Sequence, residues 1–514
     1  MARLVEKVVN RATDSDIWSA AYNIFPATPP TTPDTHHTIS GVHDTPFVAS
    51  SGAIHNTEER RKDMDAVIEN ELGNHIYLNL PDFFATFFDS VDGLQPLANA
   101  VFAECQQKGL YSEERWSSFP ESCDESSVAA WFCDEVRRLA GLASATKSAH
   151  TVTLESRCVL STPHHALGGS TAPRKLDIGF ATRKNPDNVE TTFGGNQDCG
   201  WADILVPGEL KSDKNKDSKL STWCDLARYV REVFAAQDNR RFSYGFTLCG
   251  DMMRVWRFDR GAAYAAPPFS VNQDAQKFVT VVLGYLLMTE EELGYDTTIS
   301  KDSDQRYISV VRDGVEERFV IEGMIHRQPS IIGRGTTCWK ASLDGSDKKF
   351  VVKDSWQYEG RADEGALMAG CTPSPYLAAC YYSETVRIGE LEDDLCGNVR
   401  KEIGVSTGMK WKWKRKGHST AALTTSASSS SLHKRVASSA LENTSRKRSR
   451  PNPKSENGND STQSCSDSNR LHKRIIMPRY GKPLYSTATR VGLLRGLIGG
   501  ISGWYFFVLV PRLS

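Results

Sequence analysis

Apolar positions between about Arg60 and Ala149 recur at three- and four-residue steps, at Met64, Val67 and Leu72 and again at Phe83, Phe84 and Phe87. This spacing predicts helices. From 150 to 290 the periods mix. Thr151–Leu154 and Asp203–Val206 read as strands, and Ser221 reads as the N-cap of a helix whose stripe is Trp223, Leu226, Ala227, Val230, Val233 and Phe234. Phe242–Leu248 and Met253–Phe258 read as two strands joined by a turn at Gly250-Asp251, and Asp274 as the cap of a helix through Phe278, Val281, Val282, Tyr285 and Leu286. A second β-rich segment runs from near Tyr307 to Val399. The stretch 25–60 is rich in Pro and Thr and has no period, so a tail is expected there.

Composition divides the chain without naming its chemistry. Its 514 residues carry 62 Lys+Arg and 63 Asp+Glu, a net charge of −1, which excludes a protein that is wholly a nucleic-acid coat or membrane-surface binder. The basic charge is local: Arg400 to Arg450 holds 13 Lys/Arg against Glu402 and Glu442, with a serine run at Ser426–Ser431. The expected fold class is α+β, a helical and α/β N-terminal domain followed by a partial lobe of a second fold. The expected boundaries are a 1–60 tail, a 61–300 accessory domain, a 301–398 lobe, a 399–470 disordered basic insert, and a 471–514 segment with order resuming near Leu471. Charges within the first ten residues argue against a signal peptide, so an intracellular location, nucleus or cytoplasm, is expected. None of the 12 cysteines has zinc-ligand spacing to another, and reduced, mostly buried thiols are expected.

The first chemical constellation is Ile331-Ile332-Gly333-Arg334-Gly335-Thr336-Thr337-Cys338-Trp339, a Gly-x-Gly turn between apolar runs. The strand Phe350-Val351-Val352-Lys353 and a charged helix with Glu364 follow it. Phosphoryl transfer in kinases needs such parts: backbone N–H groups over the phosphates, a strand lysine, and a helix carboxylate that orients the lysine. Gly-x-Gly turns also occur as plain hairpin chemistry, and strand lysines commonly just face solvent.

The chain resembles the fungal-type protein kinase family through Gly333–Trp339, Phe350–Tyr358, Val206-Pro207-Gly208-Glu209-Leu210-Lys211 and Tyr480-Gly481-Lys482-Pro483-Leu484. The resemblance covers roughly 60–503 outside the serine-rich insert. It implies ATP-dependent Ser/Thr phosphorylation, ATP and Mg as cofactors and a protein substrate. On this reading Gly333, Gly335, Lys353 and Glu364 hold ATP, Lys353 as the phosphate lysine and Glu364 as its helix partner, although Ala366 also aligns with the family's glutamate position. Cys338 stands where a third loop glycine is expected and would narrow the cradle. After Lys353 the aspartates are 354, 363, 393, 394, 460 and 467; none follows a His-Arg pair or precedes Phe-Gly, and no acidic side chain occurs from Ser468 to Ser514. The expectation is a catalytically incomplete kinase, a pseudokinase or scaffold, ending before the catalytic loop. Trp504–Ser514 departs from the family, as a frameshift or splice variant would. A membrane anchor over Val491–Val510 is the rival reading, disfavoured by Arg495, which at a bilayer centre costs about 2.5–3.5 kcal/mol.

The second constellation is Asp177 followed 32 residues later by Glu209-Leu210-Lys211 at the end of an apolar strand. Such a layout resembles a restriction-endonuclease-like site. Asp177 and Glu209 would hold Mg against a phosphodiester, and Lys211, two along and so on the same face, would stabilise the attacking hydroxide. The competing reading is a solvated strand end continued by Asp213, Lys214, Lys216 and Asp217. A nuclease-like activity is thus the alternative function. A non-enzymatic nuclear effector is the third, through Lys410-Trp411-Lys412-Trp413-Lys414-Arg415-Lys416 and Arg446-Lys447-Arg448-Ser449-Arg450, which read as nucleic-acid or import-receptor contacts.

Overall fold

A computed structural model of the chain describes residues 61–146, 156–169, 174–183, 199–371, 377–411 and 469–478, with scattered positions between 489 and 499. The first segment is helical as its spacing predicts: α1 (Arg61–Leu72), α2 (Phe83–Phe87), α3 (Leu94–Gln107) and α4 (Glu125–Ala145). The strand β1 (Ile76–Leu78) interrupts it. Asp124 caps α4 by accepting the Ser127 N–H at 2.9 Å.

Next come β2 (Arg157–Leu167), β3 (Arg174–Thr182), β4 (Ile204–Lys211), α5 (Leu220–Ala236), β5 (Ser243–Cys249), β6 (Met252–Phe258), β7 (Ala263–Ala265), β8 (Phe269–Ser270) and α6 (Ala275–Leu287). The β2–β3–β4 meander is antiparallel, α5 crosses over, and β5 lies parallel to β4. Sheet order is β2–β3–β4–β5–β6–β7–β1, with β8 on β6. Helices α3, α4 and α6 cover one face, around Phe132, Phe180, Phe246 and Phe278. Helices α1 and α5 cover the other, around Ile68, Trp223, Leu226 and Trp256. Burial on both faces explains why β4 and β5 read as continuous apolar runs.

Ser221 is not the cap of α5: the N-cap is Lys219, two residues earlier, and it makes no side-chain cap bond. Asp274 does occupy the N-cap of α6, but its side chain makes no cap bond there. The expected strand Thr151–Leu154 lies outside the described residues.

The second sheet comprises β9 (Ile299–Asp302), β10 (Gln305–Arg312), β11 (Val315–Arg327), β12 (Thr337–Leu343), β13 (Lys349–Tyr358), β14 (Tyr382–Thr385) and β16 (Arg470–Pro478). It is antiparallel throughout, in the order β9–β10–β11–β12–β13–β16–β14. Helix α7 (Glu364–Gly370) lies between β13 and β14 in the chain. The first strand of this sheet begins at Ile299, ahead of the expected start of the β-rich segment near Tyr307.

The larger departure is at 399–411, which sequence assigns to the insert. Arg400 makes a buried two-pronged ion pair with Asp259 at 2.7 and 2.9 Å. Ile403 and Val405 join the α3/α4/α6 core, and β15 (Met409–Lys410) pairs with β1 at the sheet edge. A two-residue strand in basic sequence has no periodic signal, so only tertiary pairing reveals it. Of the eleven described cysteines, only Cys105, Cys133, Cys224 and Cys249 are buried. Among the described residues no helix is long and apolar enough to cross a membrane. The proposed anchor at Val491–Val510 and the insert beyond Trp411 lie largely outside those residues.

A buried ionic lattice joins the two sheets. Asp393 accepts Arg241 through both carboxylate oxygens (2.7–3.1 Å) and faces His472 Nδ1 at 3.0 Å. His472 Nε2 lies 3.4 Å from Asp354, which with Asp296 holds Arg474. The His472 ring stacks on Trp356 at 4.9 Å and 4°. Burial opposes charge on His472, but its bonds to Asp354 and Asp393 prevail and push its pKa up to about 9. An unfolded histidine titrates near 6.5. Its stabilising contribution is therefore complete below that pH and is lost as pH rises through about 9. The unfolding midpoint is expected to fall across this window in the native chain and to be flatter in His472→Gln; equal slopes in both would show that the ring is not charged in the fold.

Candidate functional site

Lys353 and Glu364 lie in contact. Asp363 N-caps α7 by accepting the Ala366 N–H at 2.9 Å, which sets Glu364 in the first turn, facing β13. Lys353 Nζ then lies 2.5 Å from Glu364 Oε1, and Arg334 donates to Glu364 Oε2 at 2.9 Å. Burial alone would weaken this carboxylic acid, but Lys353 and then Arg334 outweigh it and lower the Glu364 pKa. Two cations thus share one carboxylate, leaving net positive charge for an anionic ligand. No sequence signal marks Arg334 apart from its place between the two glycines of the turn.

The glycines do something else as well. Gly333 (φ +127) donates its N–H to the Arg260 carbonyl at 3.0 Å, and Trp356 donates its N–H to the Arg334 carbonyl at 2.8 Å. Gly335 has φ +50, and a Cβ there would lie 2.8 Å from the Arg260 guanidinium. The turn is therefore seated on the first sheet. Cys338 is not in the turn at all: it lies in β12, directly opposite Lys353. The Gly333 N–H is thus already engaged. Gly335→Ala is expected to lose about 1–3 kcal/mol of stability with no nucleotide present, from the positive φ and the contact with Arg260. Unchanged chemical denaturation would mean that the glycine serves only a ligand.

Asp177, Glu209 and Lys211 also come together. The pairing of Ile178 with Gly208 brings Asp177 beside Glu209, and the Leu210 N–H donates to Asp177 Oδ2 at 3.2 Å. Lys211 bonds Glu209 and lies 3.2 Å from Asp225. The Tyr229 hydroxyl donates to Asp177 Oδ1 at 3.1 Å. Glu209 is 2% exposed; burial first, then the Asp177 charge, push its pKa up to about 7. The same burial and both carboxylates raise Tyr229 and keep it a neutral donor. Two adjacent, mutually repelling carboxylates are a donor set suited to a divalent cation, whose charge would relieve both. Asp225 and Tyr229 escaped notice in sequence; their four-residue spacing on α5 beside the apolar stripe was the available signal.

The basic stretch starting at Lys410 differs from expectation. Lys410 lies in β15 with Nζ 5.7 Å from the Tyr77 ring centre, and Trp411 meets Trp223 edge-on at 5.0 Å. Trp411 packs against the α1/α5 core, so it is not a free platform for bases. Lys412–Lys416 and Arg446–Arg450 lie outside the described residues.

The family model described as fungal protein kinase matches residues 175–509, more than half of the chain. The match starts inside β3, well after 60, and runs past Gly503, where the sequence reading ended the resemblance. No curated protein and no solved structure matches.

Proposed function

The chain belongs to the fungal protein kinase family, and from that premise we propose that these 514 residues bind ATP through the second sheet without transferring its phosphate. The observation that carries the reading is the Lys353–Glu364 pair at 2.5 Å, the strand-lysine and helix-glutamate arrangement that orients a phosphate ligand. Arg334 adds a second cation at the same carboxylate.

Transfer needs more: an aspartate to position the hydroxyl and further carboxylate or amide ligands for Mg. Every described aspartate after Lys353 is occupied. Asp354 holds Arg474, Asp363 caps α7 and faces Lys473, and Asp393 holds Arg241. Asp394 accepts the N–H groups of Gly397 and Asn398. Asp460 and Asp467 lie in the basic insert, remote in sequence from any His-Arg pair. Calorimetric titration is expected to show ATP binding that Lys353→Met weakens, together with no phosphorylation of self or a generic substrate above background. Phosphorylation abolished by Lys353→Met would overturn the incomplete-kinase half; absence of nucleotide binding would overturn the other half.

A second reading is favoured by the convergence of Asp177 with Glu209 across β3 and β4. Mg held by these carboxylates would supply charge at a phosphodiester, and Lys211 would stabilise an attacking oxygen. The full chain is the right test material, because Arg400 and β15 complete the first sheet. Mg-dependent cleavage of DNA or RNA, absent in a folded Lys211→Ala, is the expected result. Equal inactivity of both proteins with Mg and with Mn across several substrates would end this reading.

A further inference from the structure

Beneath the glycine turn lies a cleft whose charges do not balance. It is bounded by Arg260 and Arg327, by Gly335 and Thr337, by Trp339 and Trp356, and by the carboxylates of Asp238, Asp296 and Asp354, and it opens to solvent. Arg260 is 1% exposed. Its guanidinium donates to the backbone carbonyls of Ser330, Ile331 and Arg240, sits 4.0 Å over the Phe234 ring, and leaves Nε without a partner. Arg327 donates to the carbonyls of Phe234 and Gln237 and to Thr337 Oγ1.

Neither guanidinium bonds a carboxylate among the described residues, and the acids nearby are taken. Asp238 holds Arg306 at 2.7 and 3.0 Å and accepts the Trp339 indole N–H at 2.7 Å. Asp296 and Asp354 hold Arg474. Glu71 accepts the Ile331 N–H and pairs with Arg231, and burial pushes its own pKa up to about 7. Arg240 in the same wall is likewise bonded to carbonyls. Burial, then repulsion from Arg327, lowers Arg260 to about 9. A buried Arg260 and a half-buried Arg327 bonded only to neutral groups are costly, and an anion between them would remove the cost.

We propose that this cleft is an oxyanion site taking a phosphate-sized anion between Arg260 and Arg327. The site is distinct from the Lys353–Glu364 pair, because Asp354 and Lys353 alternate along β13 and so face opposite sides of the sheet. Its occupant would set the seat of the glycine turn, since Gly335 packs directly on Arg260.

The test is thermal unfolding of the full chain against inorganic phosphate at constant ionic strength, with sodium chloride as control. A saturable rise in midpoint is expected. It should persist in Lys353→Met, and its phosphate midpoint should weaken roughly tenfold or more in Arg327→Gln, with Arg327→Lys between. If near-UV circular dichroism shows Arg327→Gln unfolded, Arg327→Lys supplies the comparison and the native titration still decides. ADP producing the saturable rise in Lys353→Met would identify the anion as a nucleotide phosphate; ADP without effect there would leave the free ion. A midpoint that follows ionic strength alone, or a response lost in Lys353→Met and kept in Arg327→Gln, would overturn the site.

Discussion

Asp393 is the point on which the architecture turns. Its carboxylate takes Arg241 from the first sheet's side and His472 from β16, and its backbone carbonyl accepts the His472 N–H at 2.8 Å. Through His472 the lattice passes to Asp354, Arg474 and Asp296, three cations against three carboxylates drawn from segments more than two hundred residues apart. All are buried. Burying that much charge is expensive, and a balanced, fully bonded lattice is tolerated where an incomplete one is not. It therefore fixes one docking of the two sheets, and β13, which carries Lys353, is held in that docking by Asp354 and Trp356.

The consequence for function is that the glycine turn is not a free flap. Arg260 of the first domain supports Gly333 and Gly335 from below, while Arg334 between them reaches Glu364. The first sheet is thereby part of the wall beneath this turn. In the other direction, residues 393–411 leave the lobe and finish the first domain, through Arg400 on Asp259 and β15 on β1. The two parts are interleaved in sequence, and a cut near 300 would remove an edge strand and a buried ion pair from the first.

Some of this was legible beforehand. The stripe from Trp223 to Phe234, the hairpin about Gly250 and the strand bearing Lys353 announce themselves by period and turn chemistry. Asp177, Glu209 and Lys211 were readable because strand alternation constrains which side chains can share a face. What stayed hidden depends on contacts between distant segments. Arg241, Asp393, His472 and Arg474 look like surface charges until the fold buries them. Arg400 and Trp411 stand in a composition that argues against order. Arg260 has no motif, and Asp225 and Tyr229 matter only because α5 crosses beside β3 and β4.

A lattice of this kind would make the first sheet and the kinase-like lobe one cooperative unit in unfolding. Scanning calorimetry of the full chain tests it most directly. One transition, with a calorimetric enthalpy equal to the van't Hoff value for the described core, is the predicted result. Two resolved transitions, one reported by a probe in the first sheet and one by a probe in the second, would contradict it.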